Sequence, residues 1–253
     1  MPAARVVILT IIAMIAFASN SLLCRVALKH TAIDPASFTT IRLVSGALVL
    51  WLIARLRAPA PAGQGNWLSA LALYAYAAGF SFAYVNLAAA SGALLLFGAV
   101  QATMIGRGIA AGERLAPRQL AGLLLALAGL VGMLLPGLTA PPLGGALLMM
   151  GAGVAWGVYS LRGKGAGDAT RVTAGNFLRA APIALAVSAA LALAGSSANG
   201  ASVDAAGLLY AVASGALTSG IGYAIWYAAL PALRATSAAT VQLSVPVIAA
   251  LGG

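Results

Sequence analysis

The chain has 253 residues, 62% of them hydrophobic and only 7% charged, where soluble domains carry about 25% charge. A mean hydropathy of +1.01 excludes an ordinary water-soluble domain. The net charge of +10 comes from basic residues scattered between apolar runs, with no aromatic interleaving and no recognition motif, so nucleic acid is excluded as a partner.

Nine apolar segments follow in chain order, each near the roughly 20 residues a helix needs to cross a hydrocarbon core. The expected spans are Val6–Leu28, Ser37–Ala54, Trp67–Asn86, Ser91–Ala111, Pro117–Leu135, Leu143–Leu161, Thr173–Leu193 and Ala205–Leu230, with a ninth starting at Thr236. The runs are continuous rather than alternating, which favours helices over a barrel. The expected fold class is therefore an all-α polytopic membrane protein. Ala16-Phe17-Ala18 has the spacing of a signal-peptide cleavage site, but removing the first span would invert the charge pattern that the other eight display.

That pattern is strongly one-sided. With the loops assigned alternately to two sides, one side collects Arg5, Arg55, Arg57, Arg107, Arg114, Arg118, Arg162, Lys164, Arg171 and Arg234, and the other keeps Lys29, His30, Asp34 and Asp204. Basic loops stay cytoplasmic, so the N-terminus is expected inside. Arginine well above lysine, with abundant alanine and glycine, suits a bacterial inner membrane. The basic loops set topology and meet anionic lipid headgroups. Trp51 and Trp67 fall near expected interfaces, where amphipathic rings settle. Cys24 is the only cysteine, so no intrachain disulfide is possible.

The two halves repeat. Arg25 and Arg162 lie 137 positions apart, as do Arg42 and Arg179, and Ser91-Gly92-Ala93 aligns with Ser237-Ala238-Ala239 at an offset of 146. The extra nine residues fit the Gly/Ser/Ala-rich stretch at Gly195–Ser202. A unit of five helices is odd, so the second copy enters from the opposite side. Inverted repeats of this kind mark alternating-access transporters, with the ligand near the midplane between the halves.

The fourth span and its exit, Ala90-Ser91-Gly92-Ala93-Leu94-Leu95-Leu96 through Gly112-Glu113-Arg114-Leu115, resemble the signature of EamA-type members of the drug/metabolite transporter superfamily. Ser19-Asn20, Arg42 and Trp156 with Tyr159 add to the resemblance, which covers essentially the whole chain. It implies a ten-helix inverted-repeat bundle that moves small metabolites or amino acids, mostly outward. The repeats would be residues 1–138 and 139–253. The offset of 146 places the second copy of the exit glutamate six residues past Gly253, so about nine helices are expected here, with the tenth missing.

Candidate ligand-binding residues are Asn20, Tyr76, Gln101, Trp156, Tyr223 and Gln242. A buried amide in lipid must face a partner or a cavity, and amides suit zwitterionic or polar ligands because they both donate and accept. Aromatic walls with a few polar tips are typical of small-molecule pockets. The competing reading for the amides is interhelical bonding that only holds the packing. Tyr84, Tyr159 and Tyr227 are expected at membrane interfaces. Arg25, Arg42 and Arg179 are expected to snorkel or to bond helix-end carbonyls, the alternative being an anion clamp. Glu113 and Arg114 read as an ion pair or cap closing the fourth span. Gly108 with Gly112, Gly153 with Gly157 and Gly215 with Ser219 are small-residue pairs that permit close helix approach. Pro182 and Pro246 are expected to interrupt the seventh and ninth spans.

Absences shape the functional reading. Every acidic residue and the single histidine fall in loops or at helix ends, which leaves no buried carboxylate for a proton relay. A uniporter or exchanger fits better than a symporter using a buried acid. No catalytic pair at membrane depth, no Walker motif and no metal or cofactor motif occur, so an enzyme is not expected. The partners expected are a small-molecule substrate and the lipid bilayer; a monomer would suffice, although the sequence leaves the oligomeric state open. The alternative function is a non-transporting membrane scaffold or subunit, which would fill the space between the halves with apolar side chains.

Overall fold

The computed structural model describes residues 1–56, 64–87, 89–112, 141–164, 166–194 and 202–252, with isolated positions between 117 and 132. Every regular element among them is helical. Among the described residues seven helices are long and apolar enough to cross a membrane: Ala3–His30, Pro35–Leu56, Trp67–Asn86, Ser91–Ala110, Leu143–Gly163, Ala169–Leu193 and Ala205–Ala232. A shorter apolar helix covers Ala235–Leu251. These are the first four and the sixth to ninth expected spans, and they keep those ordinals here. The fifth span lies largely outside the described residues, as do Glu113, Arg114, Arg118, Arg57 and most of the Gly195–Ser202 stretch.

Short polar residues start four of the described spans by satisfying their orphan N–H groups. Asp34 Oδ1 accepts from the backbone N–H of Ala36 and of Ser37, each at 2.9 Å, at the head of the second span. Asn66 caps the third through Ser69 N at 2.9 Å, Asp168 the seventh through Arg171 N at 2.7 Å, and Asp204 the eighth through Gly207 N at 3.1 Å. All three aspartates thus serve helix ends and none enters the bundle.

The packing follows a two-fold pattern. The third span packs mainly on the sixth and the first mainly on the eighth; the fourth meets the sixth as the ninth meets the first; the second lies along the seventh and the fourth along the ninth. Exchanging first for sixth, second for seventh, third for eighth and fourth for ninth maps this set of contacts onto itself. That is the contact signature of an inverted repeat.

Small residues set the closest approaches. A Cβ on Gly153 would fall on the Leu96 carbonyl, and one on Gly157 would lie 2.8 Å from the Thr103 side chain, so this pair joins the fourth and sixth spans. Gly215 does the same between the eighth and second, where its Cβ would fall on the Arg42 carbonyl. The Gly108–Gly112 expectation is corrected. Gly112 has φ +86° and nothing within 4 Å of its would-be Cβ, so it ends the fourth helix in the left-handed region rather than packing a neighbour.

The two prolines behave differently. The ninth span breaks at Leu243, between Ala235–Gln242 and Ser244–Gly252, because Pro246 has no N–H for the Gln242 carbonyl. The seventh span does not break. Ala169–Leu193 runs through Pro182 as one helix, as membrane helices tolerate when their surroundings satisfy the freed carbonyl.

The eighth span holds a feature not expected from the sequence. Its α-helix over Ala205–Ala213 becomes a π-helix over Ser214–Ile221 and returns to α over Gly222–Ala229. Thr218 Oγ1 donates back to the Ser214 carbonyl at 2.9 Å within this stretch. Five of its eight residues are Ser, Thr or Gly, which hold the α-helix only weakly.

Candidate functional site

The π stretch sets up the site. In an α-helix, residues five apart point roughly 140° away from each other; with i→i+5 bonding they lie over one another. Ser214, Thr218 and Ser219 therefore present their hydroxyls to the same neighbour, Asn20 of the first span. Their Oγ atoms donate to Asn20 Oδ1 at 2.7, 3.2 and 3.3 Å. Asn20 Nδ2 donates to the Tyr76 hydroxyl at 3.4 Å.

Arg42 of the second span completes the cluster, at 1% exposure. Its Nε donates to Ser219 Oγ at 2.8 Å, and its Nη2 to Tyr223 at 2.6 Å and Tyr76 at 3.4 Å. The guanidinium carbon also lies 5.3 Å from the Tyr76 ring centre and 5.6 Å from that of Phe80, within cation–π range. Nη1 is buried without a hydrogen-bond partner. Arg42 thus neither snorkels nor caps a helix, contrary to expectation, because the π stretch and two tyrosines supply acceptors at depth. Arg25 and Arg179 do behave as expected. Arg25 Nη1 bonds the carbonyls of Leu87 at 2.6 Å and Tyr84 at 3.3 Å, and Arg179 Nη1 those of Gln64 at 2.6 Å and Gly175 at 2.9 Å.

An aromatic wall adjoins this cluster. The Trp156 ring lies 4.7 Å from Tyr223, 5.0 Å from Tyr76 and 5.2 Å from Phe17. Its Nε1 donates to Gln242 Oε1 at 2.7 Å, and Gln242 Nε2 donates to the Ala238 carbonyl at 3.0 Å. Asn20, Tyr76, Trp156, Tyr223 and Gln242 therefore form one continuous network. Gln101 joins the ninth span separately, its Nε2 donating to the Ala239 carbonyl at 2.5 Å, and its Oε1 has no partner. Tyr84, Tyr159 and Tyr227 lie in the last turns of their spans but turn inward rather than toward headgroups. They are 2%, 0% and 2% exposed, because Tyr84 packs edge-on against Phe80, and Tyr159 and Tyr227 against each other.

Both ends of the bundle are tied. At one end Asp34 Oδ2 accepts from Ser202 N at 3.2 Å. At the other, Asn176 Oδ1 accepts from Asn66 N at 2.9 Å, and Arg162 Nη2 donates to Asn66 Oδ1 at 3.0 Å. A cleft of about 450 Å³ opens at the end that carries Met1 and Arg5, and Asp168, Tyr227 and Pro231 help to line it. Tyr227 leads inward from it to Tyr159, whose ring lies 5.8 Å from Trp156.

Arg42, Phe17, Ser214, Thr218 and Ser219 were not among the expected site residues. An arginine at membrane depth with no acidic partner in the sequence was the one signal that pointed to any of them.

The family model described as the EamA-like transporter family matches residues 4–135 and 143–253. A curated protein of Pseudomonas aeruginosa, described as uncharacterized, is 58% identical over 254 residues, covering 100% of this chain and 86% of its own length. A solved crystal structure, titled only as that of a protein, matches with a TM-score of 0.75 at 21% identity over 98% of this chain and 87% of its own, and so shares the fold. With two matches that together span nearly its whole length and a helix packing that repeats in inverted order, the chain belongs to the EamA-like transporter family.

Proposed function

We propose that this multi-pass membrane protein is a carrier of small polar metabolites, amino acids foremost, that works by alternating access in a bacterial inner membrane. The N-terminus and the basic loops face the cytoplasm, and the direction of flux is outward. The halves that rock are residues 1–138 and 139–253, and the ligand lies among Asn20, Tyr76, Gln101, Trp156, Tyr223 and Gln242.

The observation that carries this reading is the convergence of polar groups from both halves at one buried place. Asn20, Arg42 and Tyr76 come from the first half; Trp156, Ser214, Ser219, Tyr223 and Gln242 come from the second. Polar side chains at membrane depth are costly and mark ligand pathways, and inverted-repeat carriers place their ligand between the halves. Because each half supplies part of the network, rocking would break and remake it, coupling ligand contact to movement. The aspartates all cap helices, which supports uniport or exchange over coupling through a buried carboxylate.

Uptake by proteoliposomes of labelled amino acids, nucleosides and small aromatic metabolites, with and without a pH gradient, tests the reading. Saturable uptake of one class, weakened at least tenfold in N20A and Q242A, is expected. The competing reading is a membrane scaffold, favoured by the mutual hydrogen bonding of the network and the burial of all six residues. No uptake by folded protein, with Asn20, Gln101 and Gln242 each replaceable at no cost, would establish it instead.

A further inference from the structure

We infer that the ligand carries a carboxylate and that Arg42 is the group that takes it; this rests on the carrier reading above and names its ligand class. A guanidinium stays charged at any physiological pH and has five N–H donors. Among the described residues the hydrogen-bond partners of Arg42 are three hydroxyls, those of Ser219, Tyr76 and Tyr223. None brings a negative charge. Nη1, with two donors, has no partner although it is fully enclosed. Burying a charge without a counter-charge is strongly unfavourable, and leaving donors unmet adds to the cost.

No side chain described nearby can neutralise it. Asp34 is eight positions earlier on the same span, committed to two backbone N–H groups and Ser202. Asp204 and Asp168 cap the eighth and seventh spans. Nor does the repeat require an arginine to be buried in this way. Arg179, 137 positions on, meets the Gln64 carbonyl ahead of the third span and the Gly175 carbonyl one turn back on its own helix, and is only part-buried.

A carboxylate supplies what is missing. Its two oxygens match the Nη1–Nη2 edge of a guanidinium, and the Tyr223 hydroxyl, now 2.6 Å from Nη2, would donate a hydrogen bond to the incoming group. One arginine balances one carboxylate, whereas a phosphate dianion would remain net negative in a low dielectric. The aromatic faces of Trp156, Tyr76 and Phe17 give the rest of the ligand an apolar surface. The class is therefore a small carboxylic acid or amino acid with an apolar body. Amines and neutral amides of the same shape should be rejected, since they leave the buried cation unpaired.

The test uses the full chain in detergent and four matched probes: phenylalanine, phenylalaninamide, phenylacetate and phenethylamine. Binding is read as a rise in unfolding temperature and as quenching of tryptophan fluorescence. The carboxylate-bearing pair should bind at least tenfold tighter than the amide and the amine. R42Q should remove that preference while R42K keeps part of it. The comparison within the unmodified protein holds even if R42Q fails to fold. Equal binding of the amide or amine, an unchanged preference in folded R42Q, or no binding of either carboxylate overturns the inference. Uptake by proteoliposomes is scored separately: carboxylate binding without uptake would overturn the carrier reading while leaving the ligand class standing.

Discussion

Gly215 is the position at which packing and site can be perturbed together by one methyl group. A Cβ built there would lie 2.8 Å from the Arg42 carbonyl carbon and closer still to the carbonyl oxygen and Ser45 Oγ. Ordinary contact begins near 3.4 Å, so the second and eighth spans must separate by at least about 0.6 Å to admit it. Backbone cannot rotate out of the way as a side chain can, and overpacking of this kind costs about 1–3 kcal/mol. Helix propensity would return up to about 1 kcal/mol for the Gly→Ala change, less in a π stretch. Gly215→Ala is therefore expected to destabilise by about 1–2 kcal/mol and to weaken transport, because it moves the backbone that carries Arg42. Gly151→Ala is the control. Gly151 has nothing within 4 Å of its would-be Cβ, so the same change there should be neutral or slightly stabilising. Thermal unfolding of both variants in one detergent, followed by helical circular dichroism, measures the difference. Equal stability of the two would refute the packing on which the site is built.

Four further outcomes are expected. Asn20→Leu removes the acceptor of three hydroxyls from the eighth span; at about 0.6 kcal/mol for each interhelical bond in a membrane it should cost about 2 kcal/mol in unfolding assays. Trp156→Phe keeps the ring contacts with Tyr223 and Tyr76 but loses the 2.7 Å bond to Gln242, which leaves Gln242 Oε1 buried without a donor, so stability should fall by about 1–2 kcal/mol in unfolding assays and ligand affinity should weaken with it. Asp34→Ala removes the cap of the second span and should lower stability by about 1 kcal/mol while leaving transport per folded molecule intact. On a Cys24→Ser background in intact cells, Lys29→Cys should react with a membrane-impermeant maleimide and Gly167→Cys should not; the reverse labelling would overturn the cytoplasmic placement of the N-terminus.

The spans were legible because bilayer thickness imposes a length on every apolar run. The third, Trp67–Asn86, is found at the expected limits, the fourth ends one residue early at Ala110, and the first, second, sixth, seventh and eighth extend theirs by a few residues. The network linking Asn20, Tyr76, Trp156, Tyr223 and Gln242 was legible as a set of types, since amides and inward aromatics at membrane depth need partners. Which atom meets which was not. The acceptors of Arg42 lie 177 and 181 positions away, and nothing local announces them. The π stretch was equally hidden. Its hydroxyls are compatible with a regular helix, and only their common neighbour, Asn20, reveals the changed pitch. That the three tyrosines expected near interfaces turn inward was hidden for a related reason. An amphipathic ring has two stable destinations, a headgroup layer or a buried hydrogen bond, and a periodic pattern cannot choose between them. Tyr227, whose hydroxyl donates to the Tyr159 carbonyl at 3.1 Å, took the second.

The symmetry of the scaffold and the asymmetry of its centre serve different purposes. Two similar halves in inverted orientation can exchange conformations, so on the proposed carrier reading a packing that maps onto itself would admit inward-open and outward-open states of comparable energy. A ligand site that obeyed the same symmetry would present two equivalent sets of contacts and fix no orientation. Here the equivalence is broken at three paired places in or near the network. Arg42 is buried among hydroxyls while part-buried Arg179 meets two backbone carbonyls. The eighth span is π-wound beside Asn20, while the third, its counterpart, is regular throughout. The Pro246 break in the ninth span faces an unbroken helix at Val100 in the fourth. A ligand held by Arg42 at one end and the Trp156 wall at the other would therefore keep one orientation as the halves exchange roles. The energy needed to reorient it would not have to be met during transport.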